Sequence, residues 1–179
     1  MDLSEVSDQL TTSPTAFPNC CLSVSTPLLS HLLTTLPKIP DFTLSIGSGS
    51  GLLEAMITHL YPNVSVEGVE VNSSVNLYIA EECMNTVTGT WDLLPRAAQA
   101  KAWMFVYPRE PKLVTKYIDM YENGGKVEMV LWLGPRVDWP DYEGCLRNSV
   151  FCDLSIQDPD GGLAEFEMLV VARRKKINE

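Results

Sequence analysis

The chain's 179 residues are 45% hydrophobic and 20% charged, enough for one domain with a sizeable core but cramped for two. A formal net charge of −10 argues against nucleic acid as a substrate, because phosphate contacts need a basic surface. With no long apolar run and no basic start ahead of an apolar block, the expectation is a soluble cytoplasmic protein with no membrane partner. The five cysteines (Cys20, Cys21, Cys83, Cys145, Cys152) lack C-x-x-C spacing, so they read as reduced thiols and not as a zinc site or disulfide framework.

Residues 1–24 are Ser/Thr-rich with little periodicity, which predicts a flexible arm, mobile unless it packs on something and able to act as a lid. The vicinal Cys20-Cys21 pair has no third soft ligand nearby in sequence and reads as inert. A single domain is expected over 25–179. It begins with a helix at Ser25-Thr26-Pro27, a capping hydroxyl followed by proline, with Leu28, Leu29, Leu32, Leu33 and Leu36 on one face and an end near Pro37 and Pro40.

A strand over 42–46 then runs into Gly47-Ser48-Gly49-Ser50-Gly51, and a helix carries Leu53, Met56, Ile57 and Leu60 toward a sheet until Tyr61-Pro62-Asn63 stops it. Residues 64–71 alternate like a strand that ends in Glu70. Further on, the pattern predicts a helix over 75–84 and a short strand over 86–91 with Asp92 and Leu93 at its tip. The fully apolar stretch 102–107 reads as a buried mid-sheet strand. A helix over 111–121 stopped by Gly124-Gly125, a buried strand over 127–133 and a short helix over 142–147 follow. Strands over 150–156 and 164–172, joined by the tight turn 158–162, must be antiparallel. The basic tail Arg173-Arg174-Lys175-Lys176 reads as the solvated end of the last strand.

The glycine run carries the chemistry. Glycine at alternate positions lets the chain turn sharply and lets a ligand approach where a Cβ would clash, while the helix behind it presents unpaired N–H groups. A dinucleotide loop G-x-G-x-x-G needs glycine where Leu52 stands, and no Gly-Lys-Ser/Thr follows, so neither a dinucleotide loop nor a P-loop is indicated. Glu70, about twenty residues on at the next strand's end, can accept both hydroxyls of a ribose.

Strand, G-x-G-x-G, helix, strand and terminal acid together resemble the class I S-adenosylmethionine-dependent methyltransferases, over roughly residues 25–174. The resemblance implies a Rossmann-like, doubly wound α/β domain. Its mostly parallel seven-stranded sheet would have the order 3-2-1-4-5-7-6, with one antiparallel C-terminal hairpin strand and helices on both faces. It implies S-adenosylmethionine as cofactor, with Gly47, Ser48, Gly49 and Gly51 beneath the methionine part, Glu70 on the ribose, Val71 on the adenine face, and Asp92 and Leu93 at the adenine edge. An acidic surface tolerates that cationic sulfonium. Tyr107 and Arg109 occupy the family's fourth motif and are expected to border an acceptor pocket. His31 is the better of two candidate bases because its helix could cover the cofactor; His59 lies at the far end of its helix. Trp103 and Trp132 read as core, whereas Trp91 and Trp139, at strand or loop ends, could stack on a ligand.

One departure from the family stands out. Many relatives carry an acid two residues before the first glycine, which holds the cofactor's ammonium, and here that position is Ser45, so binding weakens unless Glu54 or Glu67 compensates. Two functions follow: a methyltransferase for a small-molecule acceptor, or a non-catalytic methyltransferase-like binding module or scaffold subunit. Favouring the second, no long insertion after the fourth or fifth strand builds a substrate cap, leaving residues 1–40, a second copy of the chain or a partner protein to close the site. A nicotinamide-dependent reductase is disfavoured by Leu52 and by the absence of a Tyr-x-x-x-Lys pair.

Overall fold

The computed structural model describes residues 1–175, and Lys176 of the basic tail lies outside them. In chain order the elements are α1 (Leu3–Gln9), α2 (Thr26–Thr35), β1 (Thr43–Ile46), α3 (Leu52–Leu60), β2 (Val66–Glu70), β3 (Met84–Thr86), β4 (Ala102–Val106), α4 (Pro111–Tyr121), β5 (Met129–Pro135), α5 (Trp139–Arg147), β6 (Asp153–Gln157) and β7 (Glu167–Arg173). One seven-stranded sheet has the order β3-β2-β1-β4-β5-β7-β6. The pairs β1–β2, β1–β4, β2–β3 and β4–β5 are parallel, and β7 runs antiparallel to both β5 and β6. Both the order and the reversed hairpin strand match the sequence expectation.

Strand alternation sends neighbouring residues to opposite faces of the sheet, and each face has its own core. Ala102, Met104, Leu131 and Leu133 face Val6 of α1, Leu28, Leu29 and Leu32 of α2, and Leu53, Met56 and Ile57 of α3. Trp103, Phe105, Val130 and Trp132 face Val114, Tyr117 and Ile118 of α4 and Tyr142 and Leu146 of α5. The two central tryptophans are core, as expected. Trp139 joins them: it is 9% exposed and its ring centroid lies 5.2 Å from that of Trp132, so packing claims it before any ligand could. Trp91 stays exposed, with the Lys112 ammonium 5.3 Å over its ring.

The caps explain the helix boundaries. Ser25 Oγ accepts from the Leu28 amide and Pro27 fills the first turn of α2, while Pro111 opens α4 and the Gly125 amide, donating to Tyr121 O, closes it. Strands β5, β6 and β7 begin two or three residues later than the apolar pattern predicts. Among the described residues no helix is long and apolar enough to cross a membrane.

Two expectations need correction. No helix forms over 75–84; 3₁₀ turns at Ser73–Val75 and Glu81–Cys83 stand there instead. Asn76 is the cause: its Oδ1 accepts from the Tyr78 and Ile79 amides and its amide donates to Ile79 O, a local network that competes with helix hydrogen bonding. The amides of Leu77 and Tyr78 also donate to Ser50 O, tying the segment to the glycine loop. Likewise β3 occupies Met84–Thr86 and not 86–91, because the Thr88 hydroxyl donates to the Asp92 carboxylate and the Asp92 amide to Gly89 O, which folds 88–92 into a turn.

The 1–24 segment, expected to be mobile unless it packs on something, packs against the sheet's helices. It forms α1 behind a capping box of Asp2 and Glu5, then a bridge between Thr15 and Val24, and buries Val6, Phe17, Leu22 and Val24 in the core shared with α2 and α3.

Candidate active site

The candidate site lies beyond the carboxyl ends of β1 and β2, the edge at which open α/β sheets bind ligands. Gly47, Gly49 and Gly51 have φ of +75, +58 and +77°, left-handed conformations that L side chains adopt only under strain. The Gly47 amide donates to Val69 O at 3.0 Å, which pins the loop to β2, and Gly51 becomes the N-cap of α3. A Cβ built on Gly47 or Gly49 meets nothing within 4 Å, so their outer side is open space. One built on Gly51 would come within 2.4 Å of Ile79 Cγ1, so that glycine serves packing.

The loop and the acid meet. The Gly49 amide donates to Glu70 Oε1 at 2.5 Å, joining two residues 21 apart in sequence at the head of the sheet. Val71, 42% exposed, lies next to this pair in the chain. The Val87 amide donates to Glu70 O, which brings the turn bearing Asp92 and Leu93 up from β3; Asp92 is exposed and Leu93 half-buried on the α4 side of the sheet.

Ser45 is fully buried, and its hydroxyl donates to Glu54 Oε1 at 2.5 Å. Glu54 stands in the first turn of α3 and is only 2% exposed; burial pushes its carboxyl up to about 7, against the Ser45 hydrogen bond and with the help of the neighbouring Glu70 charge. Of the two acids able to compensate for Ser45, only this one reaches it. Glu67 sits between β-neighbours on the other face, ion-paired with Arg96 and accepting from Asn85.

A folded-state carboxyl raised to about 7 holds a proton that the unfolded chain releases near its ordinary value of 4.5. The resulting stability is fully present below the unfolded value and is lost as pH rises through about 7. Urea unfolding of the ligand-free chain between pH 4.5 and 8 should show this loss, on the order of 3 kcal/mol, and Glu54→Gln should flatten it. Curves of equal slope for parent and variant would contradict the burial argument.

Glu167, at the start of β7, is a buried acid near the candidate site that the sequence analysis did not single out. It is fully buried and accepts from the Tyr107 hydroxyl at 2.8 Å and the Ser23 amide at 3.0 Å through Oε1, and from the Ala164 amide at 3.3 Å through Oε2. A lone acid opening the apolar run 168–172 was the available signal. Tyr107, at φ +48° just after β4, has its phenol shifted upward by burial and by donating to this carboxylate. Arg109 is exposed two residues on and is not drawn to Tyr107 or Glu167. His31 rides mid-way along α2 with Nε2 buried and without a hydrogen-bond partner.

The arm touches both the glycine loop and Glu167. Ser50 Oγ donates to Asn19 O at 2.7 Å, Ser23 is held by Glu167, and the half-buried Cys20 has its thiol pushed up to about 12 by burial first and by Glu54 second. A separate groove of about 650 Å³ lies at the amino ends of β4 and β5, between Pro37, Lys101, Glu128 and Arg174, away from the glycine loop.

The strand order 3-2-1-4-5-7-6 with β7 reversed, a glycine loop after β1 and an acid at the end of β2 define the class I S-adenosylmethionine-dependent methyltransferase fold. No protein-family sequence model and no curated protein sequence matches the chain. Solved structures do. The methyltransferase domain of bacterial CtHen1 aligns with a TM-score of 0.59 at 10% identity, over 82% of this chain and 95% of its own. The S-adenosylmethionine-dependent methyltransferase SibL in its apo form gives 0.57 at 19% identity over 83% of this chain. Human N-acetylserotonin methyltransferase in complex with S-adenosylmethionine gives 0.52 at 15% identity over 76%. The chain spans 54% of SibL and 48% of the human enzyme.

Proposed function

We propose that the chain binds S-adenosylmethionine and transfers its methyl group to a small-molecule acceptor. The observation that carries this reading is the Glu70 carboxylate set on the Gly49 amide, beside glycines whose outer side is open. The residues fit the cofactor: an open left-handed backbone at Gly47 and Gly49, a half-buried acid for ribose hydroxyls, exposed Val71 for an adenine face, and Asp92 and Leu93 near its edge. When bound, S-adenosylmethionine supplies a methyl on a sulfonium, a leaving group that needs no activation. The protein's part is therefore alignment and exclusion of water, which the arm over 11–24 and the tip of β4 perform from within one chain.

Tyr107, fixed by Glu167, would form a wall of the acceptor pocket, with Arg109 at its solvent edge. Fixing the phenol in this way favours acceptors that lose their proton without a strong protein base. The net charge of −10 supports a small neutral or cationic acceptor over a polyanion. A second reading, a binding module without turnover, is favoured by one observation: Glu167 already accepts three hydrogen bonds and has no role left for proton transfer.

Calorimetric titration with S-adenosylmethionine, S-adenosylhomocysteine and NAD tests the reading. Heat from both adenosyl compounds and none from NAD is expected. No heat from any of them leaves the scaffold reading, whereas binding without S-adenosylhomocysteine production across a panel of phenol, amine and thiol acceptors leaves the binding module.

A further inference from the structure

We propose that the groove at the amino ends of β4 and β5 is a binding site for a small organic anion of two or more negative charges, a phosphate ester or a polycarboxylate. It lies away from the glycine loop, and the proposal is independent of the cofactor reading. Its volume, about 650 Å³, falls within the roughly 300–1,000 Å³ of ordinary small-molecule sites. A second cavity of about 470 Å³ shares three of its cations, Arg173, Arg174 and Lys175.

Positive charge gathers here against the trend of the chain. The formal net charge is −10, yet Lys101, Arg173, Arg174 and Lys175 line the groove against the one carboxylate of Glu128. That carboxylate is spent on Lys101, whose Nζ lies 2.6 Å from Glu128 Oε1. Asp153 stands opposite Arg173 across β6 without pairing with it, so among the described residues no ion pair holds Arg173, Arg174 or Lys175. The carbonyls that end α2 beside the groove are covered by Lys38 Nζ, which donates to Leu36 O at 2.9 Å and to Leu33 O, so the negative end of that helix is masked.

The cations are carried on fixed backbone. The Arg174 amide donates to Glu128 O at 2.8 Å and the Lys175 amide to Val150 O at 2.9 Å, which holds the end of β7 against its neighbours. The Arg174 guanidinium lies 5.1 Å over the Phe151 ring and gives one hydrogen bond, from Nε to Val127 O at 3.1 Å. Its Nη2 is buried and has no acceptor among the described residues. Such a donor is costly to leave unmet, and an oxyanion seated on this guanidinium brings acceptors together with charge. Beside the cations, Pro37 and Met129 give the groove an apolar wall, Met129 standing next to Arg173 in the β5–β7 register. That wall suits a ligand with an organic body. A polyanionic macromolecule fits less well: it extends past the roughly 8 Å over which charge is felt at physiological salt and meets the acidic remainder of the surface, whereas a small anion stays within reach of the four cations.

Amide NMR titration of the full chain with phenyl phosphate, inorganic phosphate and citrate, at physiological ionic strength, tests the proposal. Phenyl phosphate should shift the amides of Lys101, Glu128, Met129 and residues 173–175, and saturate with a Kd below about 1 mM, at least about fivefold tighter than inorganic phosphate. Citrate tighter than phenyl phosphate on the same amides assigns the site to polycarboxylates, and the reverse order assigns it to phosphate esters. Arg173 and Lys175 are exposed, so Arg173→Gln with Lys175→Gln should fold as the parent does and weaken phenyl phosphate at least about tenfold. Lys112→Gln with Lys116→Gln, an equal change in net charge placed on α4, should leave it within about twofold. Shifts that never saturate, that centre on other amides, or that fall equally in both double variants overturn the proposal. Equal affinity for inorganic and phenyl phosphate removes the organic body and overturns it as well. So does a hexaglutamate peptide that binds these amides more tightly than phenyl phosphate, since the groove is then a contact for an acidic protein segment.

Discussion

Glu70→Ala is expected to weaken binding of S-adenosylmethionine and 5′-methylthioadenosine alike, by about 1.5 to 3 kcal/mol, or roughly 10- to 150-fold. The expectation follows from charge-assisted hydrogen bonds between one half-buried carboxylate and two ribose hydroxyls, which both ligands carry. Among the described residues the same carboxylate accepts a hydrogen bond only from the Gly49 amide, and the open side of the loop lets water take its place. The stability cost should therefore stay below about 1 kcal/mol. Calorimetry of the variant against both ligands checks this, and parental affinity for both would remove the ribose from this position.

The sheet was legible because its signals are local. Alternating apolar runs over β4 and β5, caps at Ser25 and Pro111, and glycines at 124 and 125 each act within a few residues, and the order of strands came with the family resemblance. The helix expected over 75–84 failed for a reason just as local but not periodic. A single asparagine side chain captured the Tyr78 and Ile79 amides that a helix would have used, and Ser50, about 27 positions upstream, took the Leu77 amide and shares that of Tyr78 through its carbonyl. Apolar spacing is blind to both. The arm shows the opposite case: its buried apolar side chains Val6, Phe17, Leu22 and Val24 are too widely spaced to signal an element, yet all join the core cluster that α2 and α3 build.

The candidate site divides along the same line. Gly47, Gly49 and Glu70 were readable because a single strand-helix-strand unit sets the 21 positions between the loop's Gly49 and the acid. Glu167 was not, since its partners Ser23, Tyr107 and Ala164 lie up to 144 positions away and nothing in the chain's pattern links them. Glu54 was visible only as one of two acids that might answer for Ser45. Strand register decides between them: Glu67 points to the α4 face with Arg96, while the helix carries Glu54 to the α3 face with Ser45.

The glycines make the last and sharpest comparison, because the two substitutions should fail in different ways. Gly49→Ala places a methyl group where nothing lies within 4 Å, so its stability cost is the left-handed backbone alone, about 1 to 2 kcal/mol. That methyl would stand on the open side of the loop, and S-adenosylmethionine binding should be lost to calorimetric detection. Gly51→Ala pays the same backbone cost and drives a Cβ to 2.4 Å from Ile79 Cγ1 and 2.9 Å from Asn76 Oδ1, the atom that holds the Tyr78 and Ile79 amides. Overpacking adds about 1 to 3 kcal/mol, for a total of roughly 2 to 5 kcal/mol. Urea denaturation should therefore rank Gly51→Ala well below Gly49→Ala in stability, while binding at a temperature where both are folded ranks them in reverse. If Gly49→Ala keeps parental affinity, the space beside Gly49 is not where the cofactor lies, whatever Glu70 turns out to hold.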